Sequence, residues 1–127
     1  MFTITIETQF KASHGVALPN GSREPQHEHF WAVSVEVSTD KLDKRGMAID
    51  FSHLKSRLTG ITSQLGGALL NDVDYFRENG PTAENVAAYV YNKLEPNLPT
   101  GVRLEGITVS EQIGCSARYS QDTRPKT

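Results

Sequence analysis

The feature that most constrains this chain is a change of hydrophobic period along it. Trp31, Val33, Val35 and Val37 alternate with Ala32, Ser34, Glu36 and Ser38, so residues from His29 to Ser38 form a strand with one apolar and one polar face. The same period of two runs through Phe2, Ile4 and Ile6 against Thr3, Thr5 and Glu7, which predicts a first strand over Phe2 to Gln9. The spacing then lengthens. Behind Asp50, a residue type that caps helices, come Phe51, Leu54, Leu58, Ile61 and Leu65 at intervals of three and four, the stripe of a half-buried helix. Behind Thr82, a second such stripe runs through Val86, Ala87, Val90 and Leu94, ended by Pro96 and Pro99. Alternation returns over Val102 to Glu111 and, past the turn Gln112-Ile113-Gly114, over Cys115 to Ser120. The order is ββααββ. Strands and helices segregated in this way imply an α+β layer pair, a four-stranded antiparallel sheet with two helices on one face.

With 127 residues, the expectation is one domain over residues 1–120 and a polar tail over 121–127. Charge is dispersed and nets −2, which leaves no basic stripe for a phosphodiester backbone and argues against nucleic acid as a partner. No apolar run approaches the roughly twenty residues of a membrane helix, and the opening alternates where a signal peptide would be continuous, so the expectation is no membrane and a cytoplasmic protein. The single cysteine, Cys115, has no internal partner and is expected to be small and buried. A four-stranded sheet has two open edges, and open edges invite pairing with further copies of the chain.

His14, His27 and His29 are the candidate metal ligands. In an extended segment residues two apart share a face, which brings the backbones of His27 and His29 within roughly 6 to 7 Å, and His14 follows the first strand. Three neutral imidazoles would leave zinc its full charge and an open position, the arrangement of a catalytic site. The plain alternative is a chance His-x-His pair. His53, near the Asp50 cap, reads as exposed and outside the site. Glu111 continues the inward phase of Ile107 and Val109, and a carboxylate facing an apolar layer requires a partner. That partner is either a neighbouring amide or Arg118, or a ligand whose adjacent N–H donors take both oxygens.

The landmarks Phe10-Lys11-Ala12-Ser13-His14, His27-Glu28-His29-Phe30-Trp31, Gly46-Met47-Ala48-Ile49-Asp50-Phe51, Leu70-Asn71, Pro81-Thr82-Ala83-Glu84-Asn85 and Ser110-Glu111-Gln112 stand in the order and spacing of one family. In these the chain resembles 6-pyruvoyltetrahydropterin synthase and its bacterial relative 6-carboxytetrahydropterin synthase over almost its whole length. The resemblance implies the tunnelling fold, in which sheets of several subunits join into a barrel with active sites at their interfaces, and a hexamer made of two trimers. It implies zinc on His14, His27 and His29, and a pterin ring held by paired hydrogen bonds to Glu111. Thr82 and Arg23 are further candidate contacts to substrate.

The departures from that pattern are as informative. The family's reactive cysteine, four residues before the first histidine of the pair, is here Arg23, and its Leu-Asp-His-x-x-Leu-Asn segment reads Leu65-Gly66-Gly67-Ala68-Leu69-Leu70-Asn71. The usual Cys, Asp and His are therefore all absent. Glu28 replaces the glycine between the histidines and should point away from the metal. Glu24 is the nearest candidate for a replacement base, its alternative being a solvated loop charge. The resulting expectation is a zinc-dependent pterin lyase, cleaving a carbon-oxygen or carbon-carbon bond of dihydroneopterin triphosphate or a related pterin with non-standard catalytic residues. The alternatives are a catalytically inactive zinc- and pterin-binding homologue, and a structural role in which the histidines only staple two strands.

Overall fold

The computed structural model describes residues 1–121. Four strands, β1 (Phe2–His14), β2 (His27–Thr39), β3 (Arg103–Gln112) and β4 (Cys115–Tyr119), form one antiparallel sheet in the order β1-β2-β3-β4. Helices α1 (Phe51–Thr62), α2 (Asp74–Asn79) and α3 (Ala83–Leu94) complete the fold. The expected α+β architecture is present with one short helix more than expected. That helix, α2, places only Phe76 in the core and is too short for a stripe to be read from the sequence. Apart from Gln121, the expected polar tail lies outside the described residues.

The helix starts follow their caps. The Asp50 carboxylate accepts from the backbone N–H groups of Ser52 and His53, and the Thr82 hydroxyl accepts from Asn85 N–H, satisfying donors that a helix N-terminus leaves free. Between β2 and α1, the Asp43 carboxylate is held below its usual range, chiefly by the backbone N–H of Met47. Leu54 and Leu58 of α1 and Val86, Ala87, Val90 and Leu94 of α3 are fully buried against Trp31, Val33, Val35, Ile107 and Val109 of the sheet. Each leucine, isoleucine or valine side chain buried in this way contributes about 1.5–3 kcal/mol. Phe51 departs from the stripe assigned to it and is 62% exposed, since the first residue of a helix projects past the edge of the layer beneath. Helix α1 ends at Thr62, and Leu65 reaches the core from the turns that follow.

Both leading strands are longer than their alternation indicated. β1 continues to His14 and β2 begins at His27, with His14 paired to His27, Ala12 to His29 and Phe10 to Trp31. The pattern was obscured because alanine and histidine, not large aliphatics, occupy these inward positions. The polar face carries Glu28, which pairs with Lys11 at 3.3 Å, and Phe30 beneath the Lys11 ammonium. Arg118 donates to Glu36 at 3.1 Å, so the local partner considered for Glu111 is engaged elsewhere. Cys115 is exposed instead of buried, because β4 is an edge strand and this residue opens it at the turn.

Candidate metal centre and active site

The register of β1 and β2 builds the centre directly. His14 and His27 face each other across the last pair of the ladder, and His29 lies one step inward on the same face. One ring nitrogen from each of the three lies within 4.8 Å of the others, and their ring centroids are separated by 4.6, 5.5 and 4.4 Å. Trp31 forms the floor, its ring 4.7 Å from that of His14 and its indole N–H donating to the Ala12 carbonyl at 3.1 Å.

Second contacts orient two of the rings. His14 Nδ1 lies 2.6 Å from the Pro81 carbonyl oxygen and His27 Nδ1 lies 3.0 Å from that of Pro25. A carbonyl oxygen only accepts, so each Nδ1 carries a proton and Nε2 is the nitrogen left to face a metal. This is how metal-ligating histidines are commonly held. The Pro81 carbonyl is itself fixed, because the Asn85 side chain donates to Asn79 O and Gly80 O and the Thr82 hydroxyl caps α3.

The His14 ring is almost fully buried, and its Nε2 comes within 3.0 Å of Glu111 Oε2. Neither atom has a hydrogen-bond partner among the described residues. A lone pair and a carboxylate oxygen left facing each other away from water are unfavourable unless a cation or proton lies between them. The donor set fits a metal ion of the borderline kind that imidazole favours, zinc among them. His14, His27 and His29 would hold it.

Glu24 reaches the same place from a different element. Residues 16–24 leave β1 and return as a small excursion closed by Ala17 against Arg23, Leu18 N–H on Ser22 O, and Glu24 N–H on Val16 O. The Glu24 carboxylate accepts from Val16 N–H at 3.1 Å and lies 3.8 Å from His27 Nε2. A Cβ on Gly15 would come within 2.7 Å of the Glu24 carbonyl oxygen, so only glycine lets the returning chain approach this closely. Arg23 is exposed and takes part in no ion pair among the described residues. Thr82 is committed to its cap, next to the carbonyl that holds His14. The structure thus brings together His14, His27, His29, Glu24 and Glu111, with Thr82 behind them and Arg23 outside.

Two residues of this neighbourhood carried no assigned role in the sequence. Gly15 is one, and Asn71 is the other: its side chain accepts from Gly15 N–H at 3.0 Å and donates to Gly15 O at 2.9 Å. The segment where the resemblance expects an aspartate and a histidine instead packs along β1, through Ser13 N–H on Ala68 O and Gly67 N–H on Lys11 O.

An antiparallel sheet of this topology, with helices on one face and histidines converging at the end of β1 and β2, defines a protein of the tunnelling-fold class. The chain belongs to the 6-pyruvoyl tetrahydropterin synthase family, which it matches over residues 3–122, and its named relatives are lyase-type enzymes. It is 30% identical to 6-carboxy-5,6,7,8-tetrahydropterin synthase of Synechocystis sp., covering 94% of this chain and 93% of that one. It is 29% identical to dihydroneopterin monophosphate aldolase of Pyrococcus furiosus, covering 85% and 88%. Among solved structures, 6-pyruvoyl tetrahydropterin synthase of Caenorhabditis elegans superposes with a TM-score of 0.79 at 22% identity, covering 95% and 96%. A Plasmodium vivax 6-pyruvoyltetrahydropterin synthase in which a catalytic glutamate is replaced by alanine gives 0.75 at 21%, covering 95% and 98%. Among the described residues no helix is long and apolar enough to cross a membrane.

Proposed function

We propose that this protein is a zinc-dependent lyase acting on the side chain of dihydroneopterin triphosphate or a related dihydroneopterin phosphate, with Glu24 as the base. The observation that carries the reading is the buried His14 Nε2, which faces His27, His29 and, at 3.0 Å, the Glu111 carboxylate while Pro81 holds the opposite nitrogen. A closed structural site would have no use for a carboxylate beside an open position. The chemistry zinc supplies when bound there is Lewis-acid polarisation of substrate oxygens.

The chain's own residues provide the rest. Glu24, tied by Val16 N–H and only 28% exposed in its side chain, would accept the proton released from the pterin side chain. Glu111 would take the adjacent N–H donors of the pterin ring, a pairing that selects against rings lacking them. The relatives named as a dihydroneopterin monophosphate aldolase and a 6-carboxy-5,6,7,8-tetrahydropterin synthase support a pterin as the substrate class. The half-exposed His27 and the outer strands β1 and β4, beside which no further strand lies among the described residues, favour an assembly of several copies, a hexamer of two trimers by the family resemblance, in which neighbouring chains close the site.

The test is incubation of zinc-loaded protein with dihydroneopterin triphosphate and, separately, the monophosphate, with products identified by mass spectrometry. Loss of the side chain or of its phosphate from either supports the reading and identifies the bond cleaved. Tight pterin binding without product favours the inactive homologue, and neither binding nor product removes the pterin assignment.

A further inference from the structure

We infer that Asn71 is a positioning residue that aims the carboxylate of Glu24, a conclusion that rests on the reading of Glu24 as base. The Gly15 carbonyl and the Val16 N–H belong to one peptide unit, which is planar and, as no cis bond occurs among the described residues, trans. Its two polar groups therefore point in opposite directions and cannot turn independently. Asn71 Nδ2 holds the carbonyl end at 2.9 Å, and the N–H end meets Glu24 Oε1 at 3.1 Å. The Asn71 oxygen meanwhile accepts from Gly15 N–H at 3.0 Å, which belongs to the preceding peptide unit, so a single amide ties together the two peptide planes that meet at the Gly15 Cα.

This clamp is needed because the residue it acts on is glycine, the one with the widest choice of backbone angles. Glycine is in turn required there, since a Cβ would meet the Glu24 carbonyl. Close approach of Glu24 to the metal centre thus creates a flexible link in the chain, and Asn71 removes that flexibility. His14 has independent anchors in the β1–β2 ladder, the Pro81 carbonyl and the Ser13–Ala68 bond. Loosening Asn71 should consequently disturb Glu24 and leave the metal ligands in place. Asn71 ends the segment of residues 65–71 in which Gly66 and Gly67 stand where the family resemblance expects the catalytic Asp and His, so the segment would retain a role in catalysis through its hold on the base.

The experiment is a double-mutant cycle on zinc-loaded protein with the dihydroneopterin phosphate it converts, comparing Asn71→Ala, Glu24→Gln and the pair, with hydrogen exchange at the Val16 amide followed by NMR. The expected result for Asn71→Ala is a kcat lowered about 10- to 100-fold, as for loss of a supporting contact, with KM and zinc content unchanged and Val16 exchange accelerated. The double variant should be no slower than Glu24→Gln alone. Should Asn71→Ala fold poorly, Asn71→Asp keeps an acceptor for Gly15 N–H and replaces the donor to the Gly15 carbonyl by a charged acceptor that repels it, and the same loss of kcat with faster Val16 exchange is expected. Losses that multiply in the double variant, or Val16 exchange at the wild-type rate, overturn the role of Asn71. Wild-type turnover by Glu24→Gln is a separate outcome that overturns the assignment of the base, and this inference with it.

Discussion

His14 and Pro81 stand 67 residues apart, yet the imidazole Nδ1 of one lies 2.6 Å from the carbonyl oxygen of the other. This contact joins the end of β1 to the turn before α3 and decides which nitrogen of His14 faces the other two histidines. It also gives the Pro81-Thr82-Ala83-Glu84-Asn85 segment a physical role: Thr82 and Asn85 fix the turn whose carbonyl orients the ligand.

The first prediction concerns that turn. Asn85→Ala frees the carbonyls of Asn79 and Gly80 and lets Pro81 drift, so zinc affinity should fall about 10- to 100-fold while the histidines stay in place. Competition against a chromophoric chelator measures it, and unchanged affinity would show that the ladder alone orients His14.

The histidines should separate in their effect on the metal-free protein. His14 is buried and partners Pro81, so His14→Ala should abolish zinc binding and also cost about 2–4 kcal/mol in urea unfolding. The side chain of His27 is 37% exposed, and His27→Ala should abolish zinc binding at a cost within about 1 kcal/mol.

Two glycines provide an internal comparison. At Gly15 an added Cβ meets backbone, the Glu24 carbonyl, whereas at Gly106 it meets the far end of the flexible Arg118 side chain. Gly15→Ala should therefore destabilise the protein by about 1–3 kcal/mol and displace Glu24, lowering turnover. Gly106→Ala should cost less than about 1 kcal/mol and leave turnover unchanged. Thermal unfolding and a single-substrate assay distinguish them.

Zinc bound to the native site and not to the unfolded chain should stabilise the fold. At a free concentration one hundred times Kd the gain is about 2.7 kcal/mol, so a chelator should lower the unfolding midpoint of the wild type and leave that of His27→Ala where it is.

Much of this was legible in the sequence because its signals were local. The strand alternation, the Asp50 and Thr82 caps and the His-x-His spacing each depend on residues within a few positions, and the structure places them as read. What escaped depends on contacts distant in sequence. The continuation of β1 to His14 is fixed by pairing with His27, not by its own composition. The role of Asn71 depends on Gly15, 56 residues earlier, and no periodicity encodes such a contact. Cys115 was expected inside because no cation was placed to activate its thiol, but it opens an edge strand at a turn and is exposed. Glu111 was read as continuing the inward phase of Ile107 and Val109; it sits at the register shift between Ser110 and Gln112, and its contact with His14, far earlier in the chain, is one that no local pattern shows.

The most direct measurement is kcat for the dihydroneopterin phosphate in wild-type protein and in Glu24→Gln, each brought to the same zinc content. The account predicts product from the wild type and a loss of about 100-fold or more in Glu24→Gln with zinc still bound, within the range assigned to a general base. Equal turnover by the two, or no turnover by the fully loaded wild type, would contradict it.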